Sequence, residues 1–192
     1  MGQLSFYSAM ARLPRIDDLA GLLCANGQVV RFGSGDAARL SIVIDERSRA
    51  LAMIVACAER GVEAEMDVSA EGHALLRTAF RADLAELAAR WLRGAVKVVP
   101  AEFDMDGAVL RLWVMAAGGR VGAGYQLGLD PHAPQTHDPL AAALARSGLS
   151  ATKRGERSGG PALRIIGRRR IARLAELVGD PPDAADATQW PG

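Results

Sequence analysis

Apolar and polar positions follow two rhythms along this chain, one with the spacing of a helix and one that alternates, and the switches between them mark its elements. Residues 17–26 open on Asp17 and Asp18, carry Leu19, Leu22 and Leu23, and stop at Gly27; an acidic first turn and a closing glycine predict a helix. Residues 28–32 and 40–44 predict two short strands joined through the Gly-Ser-Gly-Asp turn at 33–36. From 46 to 60, Ala50, Leu51, Ile54, Val55 and Ala58 recur at helical spacing until Gly61. Residues 62–68 alternate apolar side chains with Glu63, Glu65 and Asp67, as a strand with one wet face does, and 74–79 pair with them across the Glu71-Gly72 turn. A helix over 81–93 presents Leu84, Leu87, Ala88, Trp91 and Leu92 on one face and ends at Gly94.

The order helix, hairpin, helix, hairpin, helix then starts again after a connector rich in acid, with Glu102, Asp104 and Asp106. Residues 108–118 predict an apolar helix, 120–129 a hairpin, 137–146 a helix, 149–154 with 162–166 a second hairpin, and 168–178 a last helix stopped by Gly179. A fixed offset of 87 places Leu40 on Leu127, Gly61 on Gly148, Gly72 on Gly159, Leu76 on Leu163 and Leu87 on Leu174. Matched glycines at turns and helix stops are the mark of an internal duplication. The predicted fold is therefore α+β, two pseudo-symmetric αββαββα repeats. The expected division is an N-terminal extension over 1–15, repeats over 16–94 and 108–179, a linker over 95–107, and a flexible acidic tail over 180–192.

Composition narrows the class. Of the 192 residues 49% are hydrophobic, enough for a packed core, yet no run approaches the roughly 20 apolar residues of a membrane span. Residues 1–13 lack the basic start and apolar core of a signal peptide. Cys24 and Cys57 sit in apolar helical contexts and read as reduced, buried thiols of a cytoplasmic protein. His132, His137, Asp130 and Asp138 are close in sequence, but their spacing matches no metal motif and three nearby prolines favour a plain loop. No cofactor is expected.

The first helix carries Leu19-Ala20-Gly21-Leu22-Leu23-Cys24-Ala25-Asn26-Gly27. This resembles the Leu-Ala-Gly-Leu-Ile-Asp-Ala-Asp-Gly motif of the LAGLIDADG homing endonucleases at six of nine positions, and the resemblance extends over roughly residues 16 to 179. It implies that the two motif helices pack together at a pseudo-twofold axis while two four-stranded sheets form a saddle over DNA. In that family the last acid of each motif holds divalent metal ions; here that position is Asn26, and its second-repeat counterpart is Gly118 if Gly119 is aligned with Gly27. Residues 112–121 contain no carboxylate in any register. Two-metal cleavage needs such ligands, so the resemblance implies no enzymatic activity. The layout is also similar to the WhiA-type transcription factors of Gram-positive bacteria, a non-cutting version of the fold.

Net charge is +1, but residues 1–107 carry 12 Lys+Arg against 15 Asp+Glu, and residues 108–179 carry 11 against 4. The basic second half, with Lys153, Arg154, Arg157, Arg164, Arg168, Arg169 and Arg170, and with Arg120 and Arg31 added, supplies the expected contacts to double-stranded DNA. Glu63, Glu65 and Asp67 would be repelled by phosphates, so either they face away or the first half has given up DNA contact. The expected function is a non-catalytic DNA-binding or regulatory protein. The alternatives are a module that binds a regulatory protein through the acidic first sheet, and a residual Mg²⁺-dependent endonuclease.

Overall fold

The computed structural model describes residues 8–155, 159–183 and 186–192. A 3-10 turn at Ile16–Leu19 leads into α1 (Ala20–Cys24), followed by β1 (Gln28–Phe32), β2 (Ala37–Ile44), α2 (Arg47–Ala58), β3 (Ala64–Val68), β4 (Ala74–Thr78) and α3 (Ala85–Trp91). A minimal hairpin, β5 (Leu92–Arg93) with β6 (Val96–Lys97), joins this unit to α4 (Gly107–Ala117). The second unit continues with β7 (Gly118–Val121), β8 (Gly124–Gly128), α5 (His137–Arg146), β9 (Thr152–Arg154), β10 (Ala162–Ile166) and α6 (Arg168–Val178). The two larger sheets are antiparallel and have matching strand orders, β1-β2-β4-β3 and β7-β8-β10-β9. This is the duplicated α+β plan anticipated from the sequence.

Alternation decides which face of each sheet is covered. Ala38, Leu40, Ile42 and Ile44 of β2 are buried together with Leu76, and in the second sheet Tyr125, Leu127, Leu163 and Ile165 are buried. The helices pack on these faces and join them into one core. At its centre α1 lies against α4, and Gly21 makes that approach possible: a Cβ there would lie 2.3 Å from the Val109 carbonyl oxygen and 2.7 Å from the Leu112 Cβ. Cys24 and Cys57 are free and buried, and burial pushes the Cys57 thiol up to about 11.

The start of α4 is built by Asp106, whose carboxylate accepts from the amides of Ala108 and Val109, both at 3.0 Å. Arg12 bridges that carboxylate to the buried Asp18, which also accepts from Arg60 Nε at 3.1 Å. One arginine thereby ties together the starts of both motif helices.

Strand register refines the duplication. Gly61 and Gly148 adopt φ of +71° and +82°, and Gly72 and Gly159 adopt +87° and +93°, so the paired glycines are conformational equivalents. However, Ile42 faces Leu76 while Leu127 faces Leu163. With Leu76 placed on Leu163, the equivalent of Leu127 is Ile42, not Leu40. A slip of two residues keeps every side chain on its own face, which is why a single offset looked gapless in the sequence. Carried across the next ladder, where Val29 faces Leu40 and Arg120 faces Tyr125, the register puts Gly27 on Gly118 and Asn26 on Ala117. The provisional pairing of Asn26 with Gly118 is corrected accordingly.

The expected flexible tail is also corrected. Trp190 is buried, donates from Nε1 to the Gly179 carbonyl at 2.7 Å, and lies under the Arg111 guanidinium. The Tyr125 hydroxyl donates to the Gln189 carbonyl at 3.0 Å. Polar, Pro-rich composition hid one apolar anchor strong enough to dock the segment. Among the described residues no helix is long and apolar enough to cross a membrane.

Candidate nucleic-acid interface

The uncovered faces of the two sheets meet at a cleft of about 360 Å³, lined by Val43 of the first and by Gln126 and Gly128 of the second. Asn26, at the end of the first motif helix, and Ala117, at the end of the second, line the same cleft. The two motif helices thus end at a cleft that both sheets line.

Directly opposed residues share a face, so the ladders assign each expected contact. On the second sheet, Gly119, Gln126, Arg164 and Thr152 stand in one open-face row, and Gly128, Ala162 and Arg154 in the next. Arg154 and Arg164 are therefore on the saddle. Arg164 lies across it, donating to the Val121 carbonyl at 3.1 Å, and its Nε is buried without a hydrogen-bond partner. Arg168, Arg169 and Arg170 are exposed in the first turn of α6. Three cations there oppose the helix dipole, so their placement does not serve the stability of the helix.

Three expected contacts are not on the saddle. Lys153 faces Leu163 on the helix-covered side and pairs with Asp138 of α5. Arg120 faces the buried Tyr125 and donates to the carbonyls of Trp190, at 3.1 Å, and of Gly192. Arg31 faces the buried Ala38. Strand parity excludes all three, because neighbours one residue apart point to opposite faces. Arg157 lies outside the described residues.

On the first sheet the carboxylates do face the saddle. Glu65 lies opposite Arg77, and Asp67 accepts from Arg77 Nη2 at 3.1 Å. Val30, Phe32, Arg39 and Ser41 share that open face.

The ends of the motif helices are held by two cations that sequence reasoning missed. The Lys97 ammonium donates to the carbonyls of Ala25, at 3.0 Å, and Gly27, at 2.8 Å, and pairs with Asp130 at 2.6 Å. Arg49 donates from Nη1 to the carbonyl of Gly118, the equivalent of Gly27, at 2.7 Å and pairs with Glu46 at 3.2 Å. Burial pulls the Lys97 ammonium down from its ordinary value. Burial would raise the Asp130 carboxyl, but the hydrogen bond and charge of Lys97 outweigh it and hold it below the ordinary carboxylate range. Gln28 donates to the same carboxylate at 2.6 Å. One signal for Lys97 was present: it is one of only two lysines in the chain and interrupts a run of valines. Asp130, earlier weighed as a metal ligand, is committed to this pair, and His137 Nε2 bonds its backbone carbonyl. Among the described residues no group of three or more His, Cys, Asp or Glu could hold a metal ion.

The fold implies divalent metal at the helix ends, and the donors there do not fit it. Asn26 uses its amide to donate to the Val43 carbonyl at 3.1 Å, and Ala117 offers no side-chain donor atom. The adjoining carbonyls of Ala25, Gly27 and Gly118 already accept from Lys97 and Arg49.

No family model matches the chain, and no curated protein matches it in sequence. Solved structures do. The homing endonuclease I-WcaI bound to its DNA recognition sequence superposes with a TM-score of 0.62 at 12% identity, over 93% of this chain and 83% of that one. The chain has a LAGLIDADG-like fold. Full-length WhiA from Thermatoga maritima matches with a TM-score of 0.60 at 13% identity, over 93% of this chain and 57% of its own length. The N-terminal LAGLIDADG domain of WhiA matches over 96% of its length, with a TM-score of 0.56 at 13% identity. The chain thus shares its fold with one domain of WhiA and spans little more than half the length of the full WhiA protein.

Proposed function

We propose that this chain is a non-catalytic, regulatory DNA-binding protein that uses its saddle on double-stranded DNA and draws most of its affinity from the second repeat. The observation that carries the reading is the state of the helix ends beneath the saddle. The saddle surface is retained, while the two positions that would supply metal-binding acids are Asn26 and Ala117, and the adjoining carbonyls are capped by Lys97 and Arg49. Phosphodiester hydrolysis by two metals needs anionic ligands to concentrate Mg²⁺, whereas binding needs only the surface. Arg154, Arg164 and the arginines at 168–170 are the phosphate and guanine contacts on this reading, with Arg157 kept as a sequence-based expectation. The fold shared with I-WcaI, whose solved structure is a complex with its DNA recognition sequence, supports the same use of the saddle.

The test is an anisotropy titration of the full chain against labelled 30-base-pair duplexes from about 50 mM to 300 mM salt. Binding should weaken steeply as salt rises, because each phosphate contact releases counterions. Absence of binding at the lowest salt would sink the proposal. Plasmid nicking that requires Mg²⁺ and is lost in Asn26→Ala would replace it with the nuclease alternative.

A further inference from the structure

The open face of the first sheet carries apolar groups that the core leaves uncovered. Phe32 is 62% exposed, Val30 47% and Phe80 40%. They are not loosely placed: the rings of Phe32 and Phe80 are 5.1 Å apart, and the Arg39 guanidinium sits 4.6 Å over the Phe80 ring. The result is a braced apolar ridge on β1, flanked by Arg39 and Arg77 on the same face.

We infer that this ridge reads the C5-methyl groups of thymine in the DNA major groove, with Val30 and Phe32 as specificity-determining residues. The inference rests on the proposed DNA-binding function and assigns chemistry to the half of the saddle that electrostatics leaves unexplained. An acidic half cannot gain affinity from phosphates, but it can discriminate between bases. The major groove presents one apolar group, the thymine methyl, and one donor suited to a carboxylate, the cytosine amino group. Val30 and Phe32 match the first, and Glu65 on the same face matches the second. Spacing agrees as well. Residues i and i+2 of a strand stand about 6.6 Å apart, close to two base-pair steps of about 3.4 Å each. The two side chains can therefore meet pyrimidines separated by one base. Bracing by Phe80 and Arg39 reduces the ordering needed on binding.

A duplex of alternating dA and dT places thymines at that interval, and the same duplex built from dA and dU differs only in lacking the methyl groups. Both 30-base-pair duplexes would be titrated with the full chain at about 50 mM salt. Wild type should bind the dA–dT duplex about 5-fold more tightly, the scale expected for burying one or two methyl groups. Phe32→Ala should reduce that ratio below about 2-fold. Because Phe32 is mostly exposed, its thermal transition should match wild type. Equal wild-type affinities for two duplexes that both bind would overturn this inference and leave the DNA-binding function standing. A ratio that persists in Phe32→Ala would overturn it too, since the methyl effect would then arise elsewhere. Failure to bind either duplex removes the DNA-binding reading itself. A wild-type dimer in sedimentation that Phe32→Ala dissociates assigns the ridge to protein contact instead, and also overturns the inference.

Discussion

The two repeats are alike beneath the saddle and unlike on it. Both bury alternate strand residues against helices, both end a motif helix under the cleft, and both have the carbonyl after that helix capped by a cation. On the open faces the resemblance stops. The second sheet presents Arg154 and Arg164 among glycines, while the first presents Val30, Phe32, Glu65 and an Asp67–Arg77 pair. The covered side must satisfy packing, which the duplication already solved twice. The open side answers only to what it touches, so it is where two copies of one plan are free to diverge.

The caps offer the sharpest way to break the symmetry. Lys97 and Asp130 are both buried, at 4% and 1% side-chain exposure, whereas the Glu46 partner of Arg49 is half exposed. Lys97→Met should cost about 3–5 kcal/mol in urea denaturation, because it strands a buried carboxylate. Adding Asp130→Leu should recover most of that loss, and Arg49→Met should cost only about 1–2 kcal/mol. Equal penalties for the two single variants would mean that the caps are equivalent after all.

The same pair makes a pH dependence. The Asp130 carboxyl is held below its ordinary value in the folded chain, so its stabilisation is present above the unfolded carboxylate value and lost as pH falls through the depressed one. Wild type should therefore lose stability below about pH 4 more steeply than Asp130→Asn, as followed by denaturation midpoints from pH 6 to pH 2. Parallel curves would dissociate the pair from acid stability.

For the open faces, Arg154→Ala combined with Arg169→Ala should weaken duplex binding about 10-fold at 50 mM salt and flatten its salt dependence. In the first repeat, Glu65→Gln combined with Asp67→Asn should tighten binding to the dA–dT duplex, which offers no cytosine amino group, a few-fold by removing repulsion. Weakening by the second pair would show carboxylates working in recognition. Smallest of all, Lys153→Ala should change affinity by less than about 2-fold despite removing a cation from the basic half, since its side chain is on the covered side with Asp138. A loss as large as that of the double arginine variant would overturn the face assignment.

Much of this molecule is legible without coordinates. Helices α5 and α6 and strands β1 and β10 occupy the residues that apolar periodicity and glycine stops indicate, and the strand order repeats as the duplication requires. The site is legible only in outline. The absence of motif acids can be read directly, but a cluster of basic residues in sequence mixes both faces of a strand. Lys153 and Arg154 are adjacent and point opposite ways, and Arg120 of β7 donates to the C-terminal segment at Trp190. Composition reported the charge of the half, not its direction.

What the sequence determined by itself is local and periodic: where helices begin and end, which strand positions seek the core, and that one plan occurs twice. Those follow from the spacing of apolar side chains, which interact with solvent before they interact with each other. Only the tertiary structure decided what depends on partners far apart in the chain. It brought Lys97 to Ala25, Gly27 and Asp130, Arg12 between Asp18 and Asp106, and Trp190 to Gly179 and Arg111, and it chose the face each arginine occupies. Such contacts depend on distance and direction in space, and spacing along the chain encodes neither for groups on different elements.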